Sequence, residues 1–263
     1  MKVTIACGQF VPAAGDPAAN RDTIAAQARE AARQGAAVLV LPELCLSGYP
    51  LPAAAPSWAV DTGSAEIQQL AECARREGIA LCLGFAERSA EKLFNSMLFI
   101  DNTGVVRAVY RKVHLWVTEK EWALPGKSFT GFDPGPRLSG LRAGMWICYD
   151  TRFPECARTL ARDDVSLGLV GSAWFGPPDE WELAVRARAL DNGMYVAAAA
   201  VQGSFGGAAF HGGSLIVDPH GRVLARGSEG RAEVISASCD SDEIQKFRAR
   251  LPLLADLRPE SYA

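Results

Sequence analysis

The sequence predicts one α/β domain built on two layers of sheet. Strands and helices alternate along the chain. Apolar residues make up 49% of the 263, enough for a sizeable core. No repeat, low-complexity tract or obvious linker divides the sequence, although the length alone also suits two small domains.

Val3 to Phe10 reads as the first strand. Asn20 is placed to cap a helix running to about Gln34, where Gly35 stops it. Ala37 to Leu41 is a second buried strand, and Glu43 follows it. Leu44 to Asp61, rich in Pro and Ala, reads as a loop. Ser64 caps a helix to Glu77, which Gly78 ends. Ile79 to Glu87 and Asn95 to Ile100 are strands, and Asp101-Asn102-Thr103-Gly104 turns the chain into the strand Val105 to Tyr110. Lys112 to Pro136 is a long loop crowded with Trp, Glu, Pro and Gly, and long loops in compact domains are usually functional. The apolar run Ala143 to Ile147 is a buried strand. Pro154 suits the first turn of a helix over Glu155 to Arg162. Leu167 to Gly171 is a strand, Pro178 to Asn192 a helix, and Tyr195 to Ala200 another buried strand. Gly213 to Asp218 and Arg222 to Ala225 flank Pro219-His220-Gly221 as a hairpin. Ala232 to Ala237 is the last strand, Ser241 to Arg248 a short helix, and Leu251 to Ala263 a tail.

Bulk properties exclude several classes. The formal charge of −3 is small and basic residues do not cluster, which argues against a nucleic-acid partner. No apolar run approaches the ~18 residues of a membrane span. Met1 to Ala6 enters a strand with no signal-peptide pattern. Seven cysteines are scattered without CxxC spacing, which fits reduced thiols in the cytoplasm better than a disulfide framework. The three histidines lack zinc-ligand spacing.

The most informative residue is Cys148, in Trp146-Ile147-Cys148-Tyr149-Asp150-Thr151-Arg152-Phe153-Pro154-Glu155. It falls at a strand-to-helix turn, which exposes a nucleophile and aims backbone N–H groups at developing negative charge. Upstream, Glu43 and Lys112 each stand at a strand end. Amide hydrolysis by cysteine needs a base for the thiol, a donor for the oxyanion and a proton for the leaving amine. A carboxylate with a raised pKa can carry the proton both ways, and a buried lysine can stabilise the oxyanion and help ionise the thiol. A second acid, Glu119, lies in the loop after Lys112, with Glu121 as its rival in the same loop.

These segments resemble the motifs of the nitrilase superfamily, the carbon–nitrogen hydrolases. The glutamate motif is matched by Leu41-Pro42-Glu43-Leu44, with Gly48-Tyr49 following. The lysine motif is matched by Tyr110-Arg111-Lys112-Val113-His114-Leu115, and the cysteine motif by Cys148-Tyr149-Asp150-Thr151-Arg152-Phe153-Pro154-Glu155. The resemblance runs from the first strand to the Arg-Pro-Glu-Ser-Tyr tail. It implies an αββα sandwich over residues 1–263 that dimerises into an αββα–αββα stack, with the tail from about residue 249 packing at a subunit interface. It implies Glu43 as general base and then acid, and Cys148 as the nucleophile that carries a thioester. Lys112 and the backbone N–H of Tyr149 would hold the oxyanion. Glu119 matches the second glutamate, orienting Lys112 or the substrate. No metal or organic cofactor is implied.

Other residues carry two readings. His114 is expected to make structural hydrogen bonds rather than act as the base. Tyr49, Trp116, Trp174 and Phe175 are candidates for lining the pocket, each equally suited to core packing. Cys45 follows Glu43 closely enough to line the site. Arg152 either pairs with Glu155 or Asp150, or binds a substrate carboxylate with its planar fork, as in ω-amidase-like relatives. Relatives with this cysteine motif often carry Asn-Arg where this chain has Val201-Gln202 and the Gly-rich run Gly203 to Gly207. The resulting expectation is an amidase that releases ammonia from a small linear amide, favouring an acid-bearing ω-amide. An N-carbamoyl-amine amidohydrolase and a nitrilase follow in that order. A catalytically silent binder is the alternative outside enzymes, and the intact Glu43, Lys112 and Cys148 argue against it.

Overall fold

The alternating segments become two stacked sheets in the computed structural model, which describes residues 1–49, 53–205 and 208–262. In chain order the first half holds β1 (Lys2–Gln9), α1 (Pro17–Arg33), β2 (Ala36–Val40), α2 (Ala55–Trp58), α3 (Ala65–Glu77), β3 (Ala80–Ser89), β4 (Lys92–Ile100) and β5 (Val106–Arg111). After the long loop come β6 (Ala143–Ile147), α4 (Pro154–Arg162), β7 (Leu167–Ser172), α5 (Pro178–Asn192) and β8 (Tyr195–Ala200). The rest comprises β9 (Gln202–Phe205), β10 (Ala208–His211), β11 (Leu215–Val217), β12 (Val223–Arg226), β13 (Glu233–Asp240) and α6 (Ser241–Arg250).

One sheet has six strands in the order β13-β1-β2-β3-β4-β5, and the other five in the order β12-β11-β8-β7-β6. The period-2 geometry of a strand sorts its side chains between two cores. From the six-stranded sheet, Ile5, Cys7, Val38, Val40, Cys82, Met97 and Phe99 face the other sheet. Their neighbours Ala6, Leu39, Leu81, Leu83, Leu98 and Ile100 face Ile24 and Ala28 of α1 and Ile67 and Leu70 of α3. On the far side, Leu160 of α4 and Val185 of α5 cover the five-stranded sheet. The layers therefore run helix, sheet, sheet, helix, as the αββα expectation requires.

Most elements fall where the sequence puts them, and the differences have local causes. The helix α1 starts at Pro17, because Asp16 accepts from Ala19 N and proline suits the first turn. Asn20, expected as the cap, is instead buried and ties Ala13 and Leu46 together. Ser64 caps α3 as expected, and Gly78 ends it in the left-handed conformation at φ 66°. The stretch Leu44 to Asp61 contains the short helix α2, with residues 50–52 outside the description. The Gly-rich run Gly203 to Gly207 carries no strand pattern in the sequence. It lies largely within the hairpin β9–β10, with residues 206–207 outside the description.

The sheets bring one set of strand ends together. Parallel β1, β2 and β3 point the same way, and β5 joins them because it is antiparallel to β4, itself antiparallel to β3. In open α/β sheets, sites form beyond the carboxyl ends of such strands. The segments after β2, β5 and β6 carry Glu43, Lys112 and Cys148.

Candidate active site

Glu43 is fixed by close backbone packing between the two sheets. A Cβ at Gly84 of β3 would lie 2.7 Å from the Glu43 Cα and 2.4 Å from Leu44 N. A Cβ at Gly171 of β7 would lie 2.9 Å from Glu43 N. Glycine at both positions is what lets the segment pass between them. Leu44 takes φ 51°, a left-handed conformation that a leucine holds only when its surroundings force it. Cys45 then points into the helix-side core, its thiol 3.5 Å from the Gly84 carbonyl, and so does not line the site.

Cys148 also takes a left-handed conformation, with φ 44°, at the start of a 3-10 turn over Cys148–Arg152. Strain of this kind, roughly 1–3 kcal/mol, persists where packing over-determines it and is common at functional sites. Asp150 supplies the constraint. Its carboxylate accepts from Tyr110 Oη at 2.6 Å, Ile147 N at 3.1 Å and His114 N at 2.9 Å, and His114 Nδ1 donates at 2.8 Å. The His114 ring stacks on Phe153 at 3.7 Å. His114 thus buttresses the turn, the structural part expected of it. Tyr149 is the second residue of the turn, where N–H groups have no carbonyl of their own turn to reach.

The four residues of the expected catalytic set converge. Lys112 Nζ donates to Glu43 Oε1 at 2.7 Å and to Glu119 Oε1 at 2.8 Å, and all three are buried. Glu119, not the exposed Glu121, is the second acid. Its oxygens also accept from Tyr49 Oη at 2.9 Å, Asn95 Nδ2 at 3.0 Å and Trp116 N at 2.8 Å. Glu119 Oε1 thus takes three protein donors, among them Lys112, and Oε2 takes one. The thiol and Glu43 meet across one residue. Ala173 N donates to Glu43 Oε2 at 2.7 Å, and Cys148 Sγ lies 3.6 Å from Ala173 O. Asn95 was not anticipated. It donates 2.7 Å to Glu43 Oε1 as well as to Glu119. The available signal was weak, because Asn95 stands beside Ser96 at the start of the expected strand and reads as its polar edge.

The electrostatics follow from burial. Desolvation pushes the Glu43 carboxyl up to about 7 against the pull of Lys112, and the charge of Glu119 adds to the rise. Burial, then the charge of Glu43, pushes the Cys148 thiol well above its usual range, while Lys112 draws it down. For Lys112, burial favours loss of the proton, but Glu43 and Glu119 outweigh it and hold the ammonium charged. The resting site therefore has a protonated thiol beside a carboxyl poised near neutrality.

Aromatic rings border this centre. Trp116 stands edge-on to Tyr149 at 4.8 Å and parallel to Phe175 at 6.5 Å. Phe175 meets Tyr49 at 6.1 Å and Phe210 of β10 at 4.9 Å. Tyr49, Trp116 and Phe175 thus form one wall, to which the hairpin adds Phe210. Trp174 packs instead against Trp181 at 5.2 Å and beneath the Arg152 guanidinium at 4.5 Å. Arg152 pairs with neither Glu155 nor Asp150. Its partner is Glu180 on α5, at 2.5 Å, because Asp150 is consumed by the turn it braces.

Fold and site together define a class, the thiol-dependent hydrolases of carbon–nitrogen bonds. The family described as carbon-nitrogen hydrolase matches residues 4–249, and the chain belongs to it. It is an amidase-type member. It is 35% identical to the 2-oxoglutaramate amidase of Bacillus subtilis over 100% of both chains. It is 34% identical to the deaminated glutathione amidase of Homo sapiens, over 94% of this chain and 80% of that one. Among solved structures, an amidase from Nesterenkonia sp. AN1 superposes with a TM-score of 0.87 at 28% identity, covering 99% of this chain and 95% of the other. In that structure the acetamide moiety of fluoroacetamide is attached to the active-site cysteine. No helix among the described residues is long and apolar enough to cross a membrane.

Proposed function

We propose that the chain hydrolyses a small linear ω-amide bearing a carboxylate, through a thioester on Cys148, to the acid and ammonia. The observation that carries this is the backbone of Ala173, which both groups share: its N–H holds Glu43 and its carbonyl faces Cys148. Glu43 takes the thiol proton as sulfur attacks the amide carbonyl. Lys112 and the Tyr149 N–H receive the oxyanion. On collapse the C–N bond breaks and Glu43 returns its proton to the departing ammonia. Glu43 then takes a proton from a water as its oxygen attacks the thioester, and passes that proton to the Cys148 sulfur as the C–S bond breaks, which frees the acid and restores the thiol.

A base of this kind must be ionised to act. kcat/KM is therefore expected to fall as the pH drops through about 7, the value to which burial raises Glu43. A profile level from about pH 5 to about pH 8 would contradict Glu43 as the base.

The acid-bearing substrate is supported by full-length similarity to a 2-oxoglutaramate amidase and by Arg152, which is partly exposed above Trp174 and held by Glu180. A substrate carboxylate would take the place of Glu180. Arg152→Gln is then expected to lower kcat/KM for an acid-bearing amide by about tenfold to a hundredfold, the worth of a hydrogen bond to a charged group. A neutral amide of equal length should lose much less. Equal losses with a lowered Tm would make Arg152 a structural partner of α5. Ammonia release from a panel of ω-amide, neutral amide, carbamoyl-amine and nitrile tests the reaction class, with fastest release from the acid-bearing amide expected. No release from any of them, together with tight binding of one, would favour a silent binder.

The same reading makes the chain a cytoplasmic homodimer. All seven cysteines are free and buried, which suits a reducing compartment. The tail leaves Leu251, Leu253 and Tyr262 exposed, apolar surface that a partner subunit would cover.

A further inference from the structure

The Asn95 side chain sits at the centre of the charged cluster. Its Nδ2 group has two hydrogens, and both are spent, one on Glu43 Oε1 and one on Glu119 Oε1. Lys112 Nζ bridges the same two oxygens. The two carboxylates are thus clamped by a pair of donors, one charged and one neutral. The backbone of Asn95 takes part too, because its carbonyl accepts from Lys112 N at 2.8 Å. One residue therefore fixes the start of the lysine and the facing oxygens of both acids.

We propose that Asn95 is a positioning residue that holds Glu43 with Oε2 on the thiol side and leaves one Lys112 hydrogen free for the substrate oxygen. This inference rests on the reading of Glu43 as the base. With Oε1 occupied by Lys112 and Asn95, the remaining oxygen is Oε2, which Ala173 N directs to the side where Cys148 lies. An ammonium has three hydrogens, and two of those on Lys112 are committed to the acids. A neutral amide in the clamp adds a donor without adding charge. A second cation there would draw Glu43 too far down to act as a base near neutrality.

The other end of the amide supports a functional rather than a structural part. Asn95 is fully buried, and its Oδ1 has no hydrogen-bond partner among the described residues. Turning the amide over would present Oδ1 to two carboxylates, so the orientation is fixed by the network. Buried polar groups left unsatisfied are rare and destabilising.

The test is the pH profile of kcat/KM for the parent, Asn95→Ala and Asn95→Ser, with Tm measured alongside. The groups facing Glu43 are Lys112, Glu119, Cys148 and Tyr49, and none of these is altered. Losing a donor to the ionised form lets Glu43 keep its proton to higher pH, so the acid limb is expected to move up by about one pH unit in Asn95→Ala. Asn95→Ser keeps a hydroxyl one bond short of Nδ2, so the limb should move in the same direction, by no more than in Asn95→Ala. Should Asn95→Ala fail to fold, the serine variant alone decides. A purely structural residue would lower Tm or the active fraction and leave the limb in place, and that outcome overturns the proposal. If the parent itself shows no acid limb, Glu43 is not the base and both readings fall together.

Discussion

Cys148→Ala is expected to abolish turnover in a protein that remains folded. The thiol is the only group at the turn able to form a thioester. Its Sγ makes a weak 3.6 Å approach to the Ala173 carbonyl, and alanine keeps the Cβ, so only the packing of one buried sulfur is lost. Alanine meets the same left-handed backbone at φ 44° that cysteine already tolerates, so no new strain is introduced. The supports of the turn, from Asp150 to Tyr110, Ile147 and His114, do not involve the sulfur. Ammonia release should drop below detection while Tm stays near that of the parent. Activity within about tenfold of the parent would remove Cys148 as the nucleophile, since loss of a covalent step cannot be so mild. Cys148→Ser should be nearly inactive as well, because burial and the charge of Glu43 already hold back ionisation of the thiol, and a hydroxyl is a far weaker acid.

Lys112→Met is the second large effect, and it has three causes in one atom. In the proposed mechanism Nζ is an oxyanion donor, and removing such a donor costs about 10²–10³-fold in kcat. Nζ also lowers the proton affinity of Glu43 and of Cys148, so without it the base stays protonated to higher pH and the thiol ionises less readily. Finally, Nζ separates two buried carboxylates. Leaving a buried charge without its partner destabilises by roughly 3–5 kcal/mol, so Tm should fall unless Glu43 takes up a proton. The expected result is a kcat loss at or beyond the upper end of the donor range, with the acid limb displaced upward. A normal kcat with only a raised KM would make Lys112 a binding residue.

What the sequence made legible were the features with a local signature. The strands before Glu43 and Cys148 are short buried apolar runs, whereas β5 before Lys112 is largely exposed and was legible from the Asp101–Gly104 turn that starts it. The cap and stop of α3 were readable because Ser64 and Gly78 act on their own helix. Features that depend on distant convergence were not readable. Asn95 gains its meaning from acids 52 and 24 residues away in sequence, which only the sheet order brings together. Of the two readings of Arg152, pairing with its near neighbours Glu155 or Asp150 does not occur: its partner Glu180 comes from α5, 28 residues on. The β9–β10 hairpin was hidden because glycine weakens the pattern by which a strand is recognised. Phe210 belongs to the aromatic wall only because that hairpin folds over Phe175.

Covalent catalysis by Cys148 is tested most directly by intact-protein mass spectrometry after brief mixing with an ω-amide and an acid quench. A mass gain equal to the acyl group, mapped to the peptide containing Cys148, is the expected result. Ammonia release with no such gain, or a gain that maps to another residue, would contradict it.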